Sequence, residues 1–288
     1  VEEVLLEVGP FFGDAASMPF IQANGLDIHY ADHGTGAPMV LLHGSFDCTN
    51  ALWWNQVPAW SAHYRLLIPD LRGHGRTRNP HGSITLAGLA DDAAAFSAAL
   101  GLDRPVLAGI SMGGMAVLEA GIRHPGAFRA LIPCCAHIHA PFTTDFHRNL
   151  KALGMEGPDR ADPGVLEKAD PARVARLSAN HPLYPEQWKD LLRDLSALFL
   201  GPPPRTAADY ALIREPTLAV IGDRDEIFRV EDAVELYRNL KHGELAVLPG
   251  HTHCSFFNTP DAPLNALVLE YLKKLPVISR SSLPQSLS

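Results

Sequence analysis

The chain has 288 residues, 24 Lys+Arg against 32 Asp+Glu, and a formal net charge of −8 at pH 7. With 47% apolar and 19% charged residues it can bury a sizeable core, which excludes wholesale disorder. The acidic balance excludes a general nucleic-acid binder, and the four cysteines (Cys48, Cys134, Cys135, Cys254) do not form a secreted disulfide framework.

The charge is uneven. Residues 1–64 hold seven acids and no Lys or Arg, so the rest of the chain is nearly neutral and offers no field to steer a charged substrate. Arg65 is the first basic residue, so neither a signal peptide nor a transit peptide is expected. Residues 1–17 read as an extension ahead of Met18, and residues 277–288 as a flexible, Ser-rich tail. The 13 uncharged residues from Val106 to Leu118 fall short of the ~20 that a membrane helix needs. A cytoplasmic chain with reduced thiols is the expectation.

In chain order, two short strands flank Asn24-Gly25, a strong hairpin signal. Apolar runs at Pro38–Leu42, Arg65–Pro69, Pro105–Ile110, Phe128–Cys135, Pro216–Ile221 and Glu244–Leu248 read as buried strands. Helical patterns follow at Leu86–Leu100, Gly113–Arg123, Val230–Leu240 and Leu264–Leu275. This alternation predicts an α/β fold with a mainly parallel sheet covered on both faces. From His137 to Ile213 no convincing strand is visible. Prolines and amphipathic pieces such as Gln187–Leu200 predict a helical cap over residues 137–213, with the core at 18–136 and 214–276.

Gly109-Ile110-Ser111-Met112-Gly113 is a G-x-S-x-G motif with a strand before it and a helix after it. Such a turn holds a serine nucleophile in a strained conformation, and the helix N-terminus points amide hydrogens at an oxyanion. A serine needs a base, and the base an orienting acid, in the order Ser, acid, His. Asp225, in Gly222-Asp223-Arg224-Asp225, and His253, in Pro249-Gly250-His251-Thr252-His253, both follow strands, where open sheets place their sites.

With these motifs, and with His43-Gly44 and Asp70-Leu71-Arg72-Gly73-His74-Gly75, the chain from about Phe20 to Leu275 resembles the α/β-hydrolase superfamily, in its esterase, lactonase and perhydrolase-like branch. The resemblance implies Ser111 as nucleophile, Asp225 as acid and His253 as base. It also implies an oxyanion hole from the backbone N–H groups of Ser45 and Met112. Three positions depart from the family pattern: Thr252 stands where Gly usually precedes the base, Asp223 competes for the acid role, and Thr77 replaces a common Ser. His251 and Asp223 stay open as alternatives. Ser111 argues against the dehalogenases and epoxide hydrolases of the superfamily, which use Asp there.

Other residues carry blander readings. His43, His74 and Asp70 read as structural, Cys254 as a buried inert thiol, and Trp53 and Trp54 as members of an early helix, one of them in the core. The His-x-His pairs at 137/139 and 251/253 lack a third metal ligand nearby in sequence, so chance among 14 histidines accounts for them. Phe46, Phe142, Phe146, Trp188 and Phe199 are candidates for an apolar pocket wall. Arg72, Arg76 and Arg224 read as structural or solvated, so no anionic substrate is anchored. The expectation is a serine hydrolase of small to medium, mainly neutral esters or lactones, without cofactor, metal or nucleic-acid partner. Perhydrolysis, C–C bond hydrolysis and hydroxynitrile lyase chemistry use the same triad and are the alternatives. A non-catalytic ligand receptor is disfavoured, because all three triad residues are present.

Overall fold

Asn24 and Gly25 both take positive φ (49° and 73°), the backbone of a tight hairpin turn between β1 (Phe20–Ala23) and β2 (Leu26–His33). The computed structural model describes residues 19–46, 50–158, 160–258 and 262–276. The expected extension at 1–17, the tail at 277–288 and Cys48 lie outside the described residues. The hairpin edges a sheet that continues with β3 (Ala37–Leu42), β4 (Tyr64–Pro69), β5 (Val106–Ile110) and β6 (Ala130–Cys134), and ends with β9 (Thr217–Gly222) and β10 (Gly243–Leu248). Its order is β1-β2-β4-β3-β5-β6-β9-β10, parallel from β4 to β10 and antiparallel at β1–β2 and β2–β4. Every residue of β5, β6 and β9 is buried, which is why these strands read as unbroken apolar runs.

Helices cover both faces of the sheet. On one side α2 (Leu86–Ala99), capped by the Thr85 hydroxyl, packs on α3 (Met112–Arg123). Separately, α1 (Val57–Trp60) packs on α9 (Pro263–Lys274), where the Trp60 indole N–H donates to Asn265 O at 3.3 Å. The early helix expected around Trp53 and Trp54 is a 3-10 turn over Asn50–Trp53. Trp53 is fully buried against Trp60 and Phe257, and Trp54 falls beyond it.

Between β6 and β9 the chain forms α4 (Thr144–Ala152), α5 (Pro163–Ala169), α6 (Pro171–Asn180) and α7 (Gln187–Leu200). Two of the prolines that blur the sequence pattern open helices: Pro163 and Pro171 follow the capping carboxylates of Asp162 and Asp170. The region also holds a small antiparallel ribbon, β7 (Met155–Gly157) with β8 (Arg160–Ala161), against the expectation of no strand there. Strands of two and three residues are too short to show alternation. α7 buries Trp188, Leu191, Leu195 and Phe199 along one face. It is tied to the 77–84 loop by Gln187 Nε2 donating to Thr77 O (3.3 Å) and Ile84 N donating to Asp194 O (2.8 Å). Among the described residues, no helix is long and apolar enough to cross a membrane.

Candidate active site

Ser111 is the residue on which β5 turns into α3, with φ 53° and ψ −120°. Such a backbone is strained for a residue bearing a Cβ and persists only when its surroundings enforce it. Close approach is that constraint: a Cβ on Gly109 would strike the Gly113 carbonyl, and one on Gly113 would strike the carbonyls of Leu42 and His43. The glycines of the motif are therefore demanded by packing of the turn on β3. Ser111 N donates to Cys134 O (2.9 Å), which fixes the turn against the end of β6.

The loops after β9 and β10 meet at the same end of the sheet. His253 Nδ1 and Asp225 Oδ2 are 2.9 Å apart, the histidine side chain 10% exposed and the carboxylate fully buried. Asp225 Oδ1 accepts from Ile227 N and Phe228 N, both at 2.9 Å. Burial alone would raise the Asp225 pKa, but its hydrogen bonds with His253 and these amides hold it below the usual carboxylate value. Burial likewise opposes a charged His253 ring. Cys254 and hydrogen bonding to Asp225, Cys135 and Cys254 outweigh it and raise the ring well above the ordinary histidine value.

The two open alternatives make other bonds. Asp223 accepts from Gly250 N (2.6 Å), and His251 pairs with the Ser255 hydroxyl (3.1 Å), so both hold the turn rather than each other. No hydrogen bond joins the Ser111 hydroxyl to His253 among the described residues. Cys135, which directly follows the Cys134 carbonyl bonded to Ser111, lies beside His253. Donor atoms of Cys135, Asp225 and His253 all lie within 4.8 Å of one another. Cys135 is buried with φ 47°, and burial pushes its thiol up to about 12. Sequence reasoning missed this residue, because nothing in Ile132-Pro133-Cys134-Cys135 reveals which thiol faces the loops of β9 and β10. Cys254 is partly exposed rather than buried as expected, with φ 65°.

Met112 N lies in the first turn of α3, where a backbone N–H has no helical acceptor. Ser45 follows β3 through His43 and Gly44. The His43 ring, fully buried, donates from Nδ1 to Gly44 O (2.6 Å) and accepts Leu71 N at Nε2 (3.0 Å). This double use fixes the neutral tautomer, and burial lowers the ring pKa to about 4. His43 thus binds the loop carrying Ser45 to the loop after β4.

Four of the five aromatic candidates form one cluster. Phe199 lies 5.7 Å from Phe46, 5.6 Å from Phe142 and 5.5 Å from Phe146, centroid to centroid. Phe228, absent from the sequence-based set, carries the cluster to the site, 5.5 Å from Phe142 and 5.7 Å from His253. Trp188 takes no part in these ring contacts and sits buried in α7 with Lys189 over its ring. A cavity of about 320 Å³ lined by Arg78, Asn79, Tyr184, Gln187 and Asp194 includes none of Ser111, Asp225 and His253. Arg72 is buried and paired to Asp92 through two 2.6 Å contacts, and Arg224 is exposed. Thr77 accepts His29 N at its hydroxyl (3.0 Å), a packing role.

A sequence model of the alpha/beta hydrolase family matches residues 39–267. The chain is 29% identical over 256 residues (83% of this chain, 93% of the relative) to the AB hydrolase superfamily protein YisY of Bacillus subtilis. It is 25% identical over 283 residues (91% and 93%) to 2-hydroxy-6-oxo-6-(2'-aminophenyl)hexa-2,4-dienoic acid hydrolase of Metapseudomonas resinovorans. Among solved structures, a thermophilic esterase from Thermogutta terrifontis superposes with a TM-score of 0.68 at 24% identity, covering 90% of this chain and 97% of that one.

Proposed function

Because the chain belongs to the alpha/beta hydrolase family, we propose that it is a serine hydrolase of small to medium, mainly neutral carboxylic esters or lactones. In this reading Ser111 Oγ attacks the substrate carbonyl while His253 Nε2 takes its proton, and Asp225 holds the Nδ1–H and stabilises the imidazolium. The oxyanion is received by the N–H groups of Ser45 and Met112, and His253 returns the proton to the leaving alcohol. Water, deprotonated by His253, then attacks the acyl-enzyme and releases the acid. Residues 137–213 act as the cap, and Phe46, Phe142, Phe146 and Phe199 shield the acyl group from water.

The observation that carries this reading is the His253–Asp225 bond of 2.9 Å at the end of the sheet where Ser111 occupies its strained turn. The preference for neutral substrates rests on Arg72 being committed to Asp92. A p-nitrophenyl ester series from acetyl to decanoyl tests it. Turnover is expected for short and medium chains, with a fall of about a thousandfold or more in Ser111→Ala. Near-normal turnover in that variant would sink the assignment.

A second reading is hydrolysis of a C–C bond next to a ketone, favoured by the similarity to the Metapseudomonas hydrolase along 91% of this chain. Stoichiometric labelling of Ser111 by a fluorophosphonate, without turnover of any ester in the series, would select it.

A further inference from the structure

The insertion leaves β6 through Cys135–Phe142, and there a second cluster of ligating side chains faces α8 (Val230–Asn239). His139 Nε2 is 3.2 Å from Glu235 Oε2, and His137 Nε2 is 3.4 Å from Asp232 Oδ2. Donor atoms of His139, Asp232 and Glu235 all lie within 4.8 Å of one another. The two imidazoles are neighbours, with centroids 5.1 Å apart at 61°. Asp232 and Glu235, three residues apart, share one face of α8.

These separations lie at or beyond the long end of an N–H···O bond. The His139–Glu235 separation of 3.2 Å also matches the edge of a tetrahedron, roughly 3.3 Å, whose metal–ligand bonds are about 2.0–2.1 Å, as for zinc with imidazole and carboxylate ligands. The surroundings suit a ligated histidine. The Tyr210 hydroxyl is 2.9 Å from His139 Nδ1 and accepts Ile138 N at 2.9 Å, so it can also accept the Nδ1–H and leave Nε2 for an ion. His137, His139 and Asp232 have side chains at most 5% exposed, whereas the Glu235 side chain is 55% exposed and opens a path for entry. Arg229, itself half-exposed, pairs with both oxygens of Asp232 (2.8 and 2.7 Å) and is the positive charge that an incoming cation has to displace.

We propose that His139, Asp232 and Glu235 form a three-ligand site for a tetrahedral divalent cation of the zinc type, its fourth position left to water, which clamps the root of the insertion to α8. The ligands come from segments more than 90 residues apart, on the order of several loop lengths, so the site exists only in the folded chain. It is separate from Ser111 and holds whatever the catalytic assignment.

The test uses the full chain, stripped with a chelator, dialysed, and titrated with Zn²⁺ by calorimetry and with Co²⁺ by absorption. One Zn²⁺ per chain is expected, with a raised Tm on saturation, and Co²⁺ should show tetrahedral ligand-field bands without a thiolate charge-transfer band. Glu235→Gln, at an exposed position that leaves the core intact, should weaken binding at least about tenfold, as should His139→Asn. Arg229→Gln, which removes a competing charge, should tighten it. Cys135→Ala should leave the affinity unchanged. Absence of Zn²⁺ binding, or binding indifferent to Glu235→Gln, overturns the proposal. Binding lost in Cys135→Ala puts the ion beside His253 and overturns it equally.

Discussion

Two histidine–aspartate pairs in this molecule share the same hydrogen bond and differ in everything around it. His253 Nδ1 meets Asp225 Oδ2 at 2.9 Å, and His29 Nδ1 meets Asp70 Oδ2 at 2.8 Å. His29 lies within β2 and Asp70 just after β4, both 1% exposed, with Phe20 edge-on to the imidazole at 5.2 Å. Asp70 also accepts Arg76 N (3.0 Å), and Gly75 passes so close that a Cβ there would collide with the carboxylate. That pair organises a loop and is sealed. The other stands on two loops at the carboxyl edge of the sheet, beside Cys135 and near the strained Ser111. A charge-oriented imidazole is therefore not enough to mark a candidate base; its place among the loops beside a possible nucleophile sets one pair apart.

Mutating the two pairs separates their roles. Asp225→Asn should lower kcat for ester turnover by about 10⁴-fold, because the imidazole loses its required tautomer, with little change in Tm. A decrease below tenfold would remove Asp225 from the acid role. Asp70→Ala should do the reverse: about 3 kcal/mol of stability lost in urea unfolding, as a buried pair is broken, with kcat of the folded fraction altered only a few-fold. Loss of activity at full stability would make the sealed pair catalytic after all.

Smaller effects sharpen the contrast. A histidine proposed as base works only when deprotonated, and the His253 pKa is raised. So kcat/KM should climb with pH through an apparent pKa above the ordinary 6.5. Cys135 is one of the groups that raise it, so Cys135→Ala should move this acid limb to lower pH. An unmoved limb would detach the thiol from the base. Smaller still is a stability effect at His43, whose ring is held to about 4 in the fold against about 6.5 unfolded. Between these values the unfolded chain binds the extra proton, so stability is full above 6.5 and declines as pH falls toward 4. Calorimetric Tm values at pH 7 and 5 should differ in that sense.

Much of the fold was legible because its signals are local. α7 occupies the predicted Gln187–Leu200, and β5 and α3 flank Ser111 as the G-x-S-x-G context requires. The β7–β8 ribbon was invisible because two or three residues carry no period. Pro133 lies inside β6, yet it removes a donor from the middle of the β6–β9 ladder, between Leu131 N→Pro216 O and Cys135 N→Val220 O. Of the candidate site, the strained serine was plain from its glycines. Phe228, Cys135 and the carboxylates facing His137 and His139 were not, since each acts across a long loop.

The amino-acid order by itself determined what depends on neighbours along the chain: apolar periods, helix caps, the Asn24-Gly25 turn and the glycines that force Ser111 into its conformation. Only the tertiary structure decided which partners meet. Asp223 and Asp225 are two residues apart, as are His251 and His253, and composition cannot rank them. The parallel crossovers bring Asp225 to His253, while Gly250 N takes Asp223 and the Ser255 hydroxyl takes His251. Pairing across a sheet is set by the packing of distant elements, a property that no window of sequence contains.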